Sequence, residues 1–185
     1  MSSLNVQAAY DYYREHILRT EFFDLLAEHN LKTAGSIPGV AWELFGSILT
    51  GKQGSPGYGS DLEGIEIKSA KKRASFEYQY HLNTGIKKLE EDIRVDHYFC
   101  SYEADYNSFC VYHVAGKVLA AQYFSKWIPE YRRNYSTSIP ASKRRQRFRR
   151  NIPYGLVSKT GTTIMEVVGG KLLKEEKNIG KVKDS

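Results

Sequence analysis

The chain has 185 residues, 41% hydrophobic and 26% charged, which supplies one domain's core and excludes disorder throughout. Its two cysteines, Cys100 and Cys110, exclude a disulfide framework and suit a reducing compartment. The net charge of +6 is concentrated in residues 143–150, KRRQRFRR: Lys143, Arg144, Arg145, Arg147, Arg149 and Arg150 have no acid among them, and the rest of the chain is neutral.

Apolar residues at helical spacing (Tyr10, Tyr13, Ile17, Phe22, Leu25, Leu26) predict a helix over 4–30, stopped at Asn30. A second, mostly buried helix is expected at 40–49, followed by the glycine-rich connection 51–60. Alternation in LEGIEIKSA predicts a strand over 62–70, with Ile65 and Ile67 toward the core and Glu66 and Lys68 on the other face. A strand at 76–82 and an amphipathic helix over 84–93, capped by Asn83 or Thr84, come next. Strands at 97–104 and 109–116 flank a turn around Asp105–Asn107. Residues 118–135 read as a helix that Pro129 ends or kinks. A polar, basic loop over 136–150, a hairpin of 152–158 with 163–168 about Thr160–Gly161, and a lysine-rich tail over 171–185 complete the chain. His16, His29, His97 and His113 read as structural, and Asp92 and Asp96 as helix-end and turn residues. The class is α+β, with a mixed five- to six-stranded sheet flanked by helices in a single domain over 1–170.

No apolar run reaches the ~18 residues of a membrane span, and the first residues lack the pattern of a secretory signal. A cytoplasmic protein without a membrane partner is expected. The basic window suits a polyanion such as nucleic acid, or reads as a solvated surface run.

Asp61, Glu66 and Lys68 carry the chemistry. Asp61 ends a glycine-rich turn, and Glu66 and Lys68 lie two apart on one strand face. Two carboxylates are hard oxygen ligands for Mg²⁺, which keeps several of its waters. Such a metal polarises a phosphate and acidifies a water, and a neighbouring lysine offsets charge developing on the phosphate. The plainer reading is the solvated side of a surface strand.

Asp61…Glu66-Ile67-Lys68 resembles the PD-(D/E)xK nuclease motif, with Ser60 in the place of the proline. Pro56-Gly57 before Gly59-Ser60-Asp61, then Glu66-Ile67-Lys68-Ser69, Phe76, Tyr80-His81-Leu82-Asn83, Ile152-Pro153 and Gly161-Thr162 make the chain similar to type II restriction endonucleases of the PvuII type over about residues 22–165. The resemblance implies an α/β/α restriction-endonuclease-like core over residues 57–116. It implies Mg²⁺ held by Asp61, Glu66 and the Ile67 backbone carbonyl, and products with 5′-phosphate ends. Only four residues separate Asp61 from Glu66, so the turn between them must be tight, and Glu63 inside it is an alternative ligand. Glu43, on the preceding helix, is a candidate further carboxylate. The resemblance also implies that the strand after the catalytic one enters the DNA major groove. That places Gln79, Tyr80, His81 and Asn83 at the bases, with the basic loop and hairpin over 136–168, which carry the arginine-rich window, on bases and phosphates. It implies a homodimer on a palindromic site, with Tyr10, Tyr13, Phe22 and Phe23 of the helical region 1–50 as the dimer surface. A cognate DNA methyltransferase is the expected companion. A repair or recombination nuclease and a non-catalytic nucleic-acid-binding domain stay open as alternatives.

Overall fold

The apolar repeat over 4–30 forms two helices rather than one. Helix α1 (Val6–Tyr12) runs on through a wider π turn, Tyr13–Ile17, and α2 (Thr20–Glu28) starts after a break at Leu18 and Arg19. The break lets two aromatic residues reach one core from different directions: Tyr13 packs on Phe109 at 4.6 Å between centroids and Phe23 on Tyr106 at 5.3 Å. This computed structural model describes residues 3–55, 57, 59–82 and 84–176. Pro56, Asn83 and the segment 177–185 of the expected tail lie outside the described residues.

The later helices are α3 (Gly39–Thr50), α4 (Gly85–Asp92), α5 (Gly116–Leu119), α6 (Ser125–Asn134) and α7 (Tyr154–Thr160). The strands are β1 (Ile65–Lys71), β2 (Phe76–His81), β3 (Asp96–Tyr102), β4 (Phe109–Ala115), β5 (Arg147–Ile152), β6 (Thr162–Val168) and β7 (Lys171–Glu175). The class is α+β. A mixed five-stranded sheet has the order β1-β3-β4-β6-β7, and β2 and β5 form a separate two-stranded ribbon. Within the sheet β1 and β3 are parallel and the other pairs antiparallel. The parallel pair requires a crossover, and β2 with α4 makes it.

The sheet separates two cores. Helices α1, α2 and α3 cover one face around Trp42, Phe45, Ile67 and Phe109. The other face packs Phe99, Tyr112 and Val114 against Tyr78 and Tyr80 of the ribbon and Phe124 and Trp127 of the helices. Tyr13 and Phe23, expected at a dimer surface, are buried in the first core. Tyr10 donates to the Gly170 carbonyl at 2.7 Å, and Phe22 lies under the Arg19 guanidinium. All four are therefore engaged within the chain.

Three further expectations are corrected. Half of the basic window is the strand β5: Phe148 and Ile152 alternate inward against β2, a period masked in the sequence by the arginines between them. Residues 154–160 are helix α7, not a strand; Val157 is buried one turn after Tyr154, and so short an apolar run fits either period. The terminal hairpin is β6–β7, so residues 171–175 pair as an edge strand. Pro129 does not end its helix. The chain passes from α5 through a π turn, Ala120–Phe124, into α6, which continues past the proline to Asn134. No described helix is long and apolar enough to cross a membrane.

Candidate active site on the edge strand β1

The short span between Asp61 and Glu66 closes as a two-residue hairpin. Leu62 N–H donates to Ile65 O at 2.9 Å and Ile65 N–H returns to Leu62 O at 3.1 Å, with Glu63 and Gly64 at the tip. Gly64 takes φ 74°, a left-handed conformation that disfavours any residue with a Cβ. The hairpin folds Asp61 back onto β1, where its Oδ2 accepts the Ile67 N–H at 2.9 Å. Asp61 N–H in turn points at Glu66 Oε2, 3.3 Å away. Helix α3 backs the strand closely: a Cβ on Gly46 would sit 2.5 Å from Ile67 Cδ1, so glycine sets this approach. Glu63 is exposed at the tip, and Asp61 is the acid brought to Glu66.

Glu66 is fully buried, which excludes the plainer reading of its face as the solvated side of a surface strand. Two ammonium groups compensate it. Lys68 Nζ is hydrogen-bonded to Glu66 Oε1, and Lys88 Nζ, from α4, lies 2.8 Å from Glu66 Oε2. Lys68 Nζ also lies 3.2 Å from Ile67 O and 3.5 Å from Asp61 Oδ2. Three oxygens, from Glu66, Ile67 and Asp61, thus converge on one cationic atom. These are the three that the resemblance assigns to Mg²⁺.

Acidic groups outnumber ammonium groups in the cluster, and burial raises three of the four acids, Asp92 to about 7. Glu43, Asp61, Glu66 and Asp92 supply four carboxyl groups against the ammonium groups of Lys68 and Lys88. Burial raises the Asp61 carboxyl, and the Glu66 charge adds to this against the pull of Lys68. Burial and then the Asp61 charge raise Glu43. Burial would raise Glu66 too, but Lys68 and Lys88 together hold it well below the usual carboxylate range. Burial disfavours the charge on Lys68, yet Glu66 and then Asp61 raise its pKa above the ordinary lysine value. Among the described residues no group of three or more His, Cys, Asp or Glu forms a metal cage. Two carboxylates and a carbonyl nevertheless fit Mg²⁺, an ion that completes its octahedron with water.

Sequence reasoning missed Lys88 and the burial of Asp92. Lys88 ties three segments together, since its Nζ also donates to Gly59 O at 3.0 Å and faces Asp92 Oδ1 at 3.9 Å. Asp92 ends α4 as expected, and it is also a buried neighbour of the site that accepts from Tyr80 OH at 2.7 Å. The available signal was the pair Lys88 and Asp92, one turn apart on the same face of an amphipathic helix. His97 is structural as expected: its ring links Tyr78 OH at 2.8 Å to Asp92 O at 2.7 Å.

The residues expected to read DNA divide between two faces of the ribbon. Gln79 and His81 stand opposite Arg149 and Arg147 on the outward face, beside the Glu77 and Asn151 pair. Tyr80 points the other way and is fully buried, so its side chain is corrected from a DNA-facing residue to a core residue. Arg150 also turns inward, stacking 4.0 Å over Phe148 and pairing with Glu130 of α6. Arg144 donates to Ile139 O at 2.7 Å, while Lys143 and Arg145 lie in the connection before β5. Asn83 lies outside the described residues. No protein-family model matches the chain, and a search of curated proteins finds no significant match.

Proposed function

We propose that the chain is a Mg²⁺-dependent nuclease that hydrolyses phosphodiester bonds of double-stranded DNA. Within that class we read it as a site-specific type II restriction endonuclease. On this reading it is a cytoplasmic homodimer, paired with a cognate DNA methyltransferase. The observation that carries the reading is the convergence of Glu66 Oε1, Asp61 Oδ2 and Ile67 O on one cation-sized position. The outward arginines and amides of the β2–β5 ribbon support the choice of substrate.

Bound Mg²⁺ would supply Lewis acidity at the scissile phosphate and a more acidic water. Asp61 and Glu66 would hold it, with the Ile67 carbonyl. Asp61 stays fixed by the Ile67 N–H, so the two acids keep their spacing. Lys68, with three donors on a flexible stem, would donate to a phosphate oxygen and align the attacking water. Arg147 and Arg149 would grip phosphate or guanine, with Gln79 and His81 opposite them on the same face.

Digestion of methylation-free plasmid and phage DNA tests this, with Mg²⁺ or with EDTA, using the unsubstituted protein and Lys68→Ala. Discrete Mg²⁺-dependent fragments, absent in the variant, are the expected result. Nicks or structure-selective cuts would move the assignment to a repair or recombination nuclease. Salt-sensitive binding without cleavage in Mg²⁺ or Mn²⁺ would leave a non-catalytic nucleic-acid-binding domain.

A further inference from the structure

Asp92 is fully buried, yet its Oδ1 has no hydrogen-bond partner. Its other oxygen accepts from Tyr80. A buried carboxyl oxygen without a hydrogen bond is costly and calls for an explanation. The cation that faces it is Lys88 Nζ, 3.9 Å away and one helical turn earlier. Lys88 is held short of it by two other acceptors, Glu66 Oε2 at 2.8 Å and Gly59 O at 3.0 Å. Both oxygens of Glu66 are thereby engaged by ammonium groups, Lys68 on one and Lys88 on the other.

We infer that Lys88 is a positioning residue with two alternative acceptors, turning from Glu66 Oε2 to Asp92 Oδ1 when a divalent cation is held by Asp61, Glu66 and the Ile67 carbonyl. The inference rests on the metal-dependent reading above. A divalent cation held by those three oxygens would set against Lys88, across a single carboxylate group, a stronger like charge than the Lys68 ammonium does, in surroundings that screen poorly. A shift of roughly 1 Å brings it to hydrogen-bonding distance of Asp92 Oδ1. Asp92 then matches the Lys88 charge, and the whole charge of Glu66 is left to the bound cation. Asp92 thus sets metal affinity without being a ligand. A permanent Lys88–Glu66 pair, by contrast, would leave Asp92 Oδ1 unpaired in both states and make its effect plain long-range electrostatics.

The test is Mn²⁺ binding to the full chain, followed by electron paramagnetic resonance, for the unsubstituted protein, Asp92→Asn, Lys88→Met and the double variant. Asp92→Asn keeps an oxygen for Tyr80. It is expected to weaken Mn²⁺ binding by about tenfold. In the Lys88→Met background the same change is expected to matter by less than about twofold. An equal loss in both backgrounds overturns the inference. A crystal structure of the unsubstituted protein with Mg²⁺ gives an answer that does not depend on any variant folding. Lys88 Nζ is expected on Asp92 Oδ1, and Lys88 remaining on Glu66 with Asp92 Oδ1 unpaired overturns the inference. Failure of the nuclease reading has a separate signature: no Mn²⁺ binding to the unsubstituted protein, or binding unaffected by Glu66→Gln, removes both.

Discussion

Asp61 Oδ2 accepts the Ile67 N–H at 2.9 Å, so the acid of the loop is fixed to the strand that carries Glu66 and Lys68. Asp61→Asn keeps an acceptor for that N–H and removes the charge. It should leave the fold unchanged by circular dichroism while Mg²⁺-dependent cleavage falls by at least about a hundredfold, the upper range for lost metal-site partners. Cleavage within a few-fold of the unsubstituted protein would exclude Asp61 as a ligand and return attention to Glu63.

Gly64 sits at φ 74° at the tip of the two-residue hairpin. Gly64→Ala should cost about 1–2 kcal/mol in urea unfolding, the ordinary penalty for a left-handed alanine. Activity should fall as well, because the hairpin sets the approach of Asp61 to Glu66. Unchanged stability would mean that the tip relaxes to another turn type.

Arg147 and Arg150 lie on opposite faces of β5, and their substitutions should separate cleanly. Arg147→Ala should weaken DNA binding and flatten the slope of log affinity against log salt by about 0.9, the loss of one phosphate contact. Arg150→Ala removes a stack on Phe148 and a pair with Glu130, so its main effect should be on thermal stability. Titrations of a DNA duplex from low to high salt, read beside melting curves, distinguish the two. The reverse pattern would overturn the assignment of the outward face of the ribbon to DNA.

Burial lowers the His97 imidazole from 6.5 to about 4, against the opposing hydrogen bond to the Asp92 carbonyl. The folded-state value lies below that of the unfolded chain, so protons bind the unfolded state more readily. The contribution is fully present above the unfolded value and is lost as pH falls from 6.5 toward 4. The loss amounts to about 3 kcal/mol at its end. Urea unfolding across this range should show a shallower acid loss for His97→Gln than for the unsubstituted protein. Parallel curves would assign the acid loss to other groups.

The strand of the candidate site was legible because Ile65 and Ile67 alternate with Glu66 and Lys68, and a period of two is the clearest signal a strand gives. The tight turn was legible from chain length alone. The second lysine was not. Lys88 reads as an ordinary surface residue of an amphipathic helix, and its burial against Glu66 follows only from the crossover that lays α4 beside β1. The full burial of Glu66 was hidden for the same reason, since alternation separates two faces without saying whether the second is covered. The β5 strand was hidden because arginine occupies two of its three outward positions and one inward position, leaving Phe148 and Ile152 as a sparse apolar trace. Arg150 is tolerated inward because its stem and guanidinium lie along Phe148 while Glu130 matches its charge.

In the order β1-β3-β4-β6-β7, β1 has a neighbour on one side within the sheet. A bare strand margin invites pairing with another chain. Here the Ile67 amide on that margin is closed by Asp61 and the Ile67 carbonyl is left to a cation. The same carboxylate therefore guards against strand addition and completes the cluster of oxygens around Lys68 Nζ. An extended peptide that docked along β1 would have to expel Asp61 to do so, which makes loss of this acid a route to self-association as well as to inactivity.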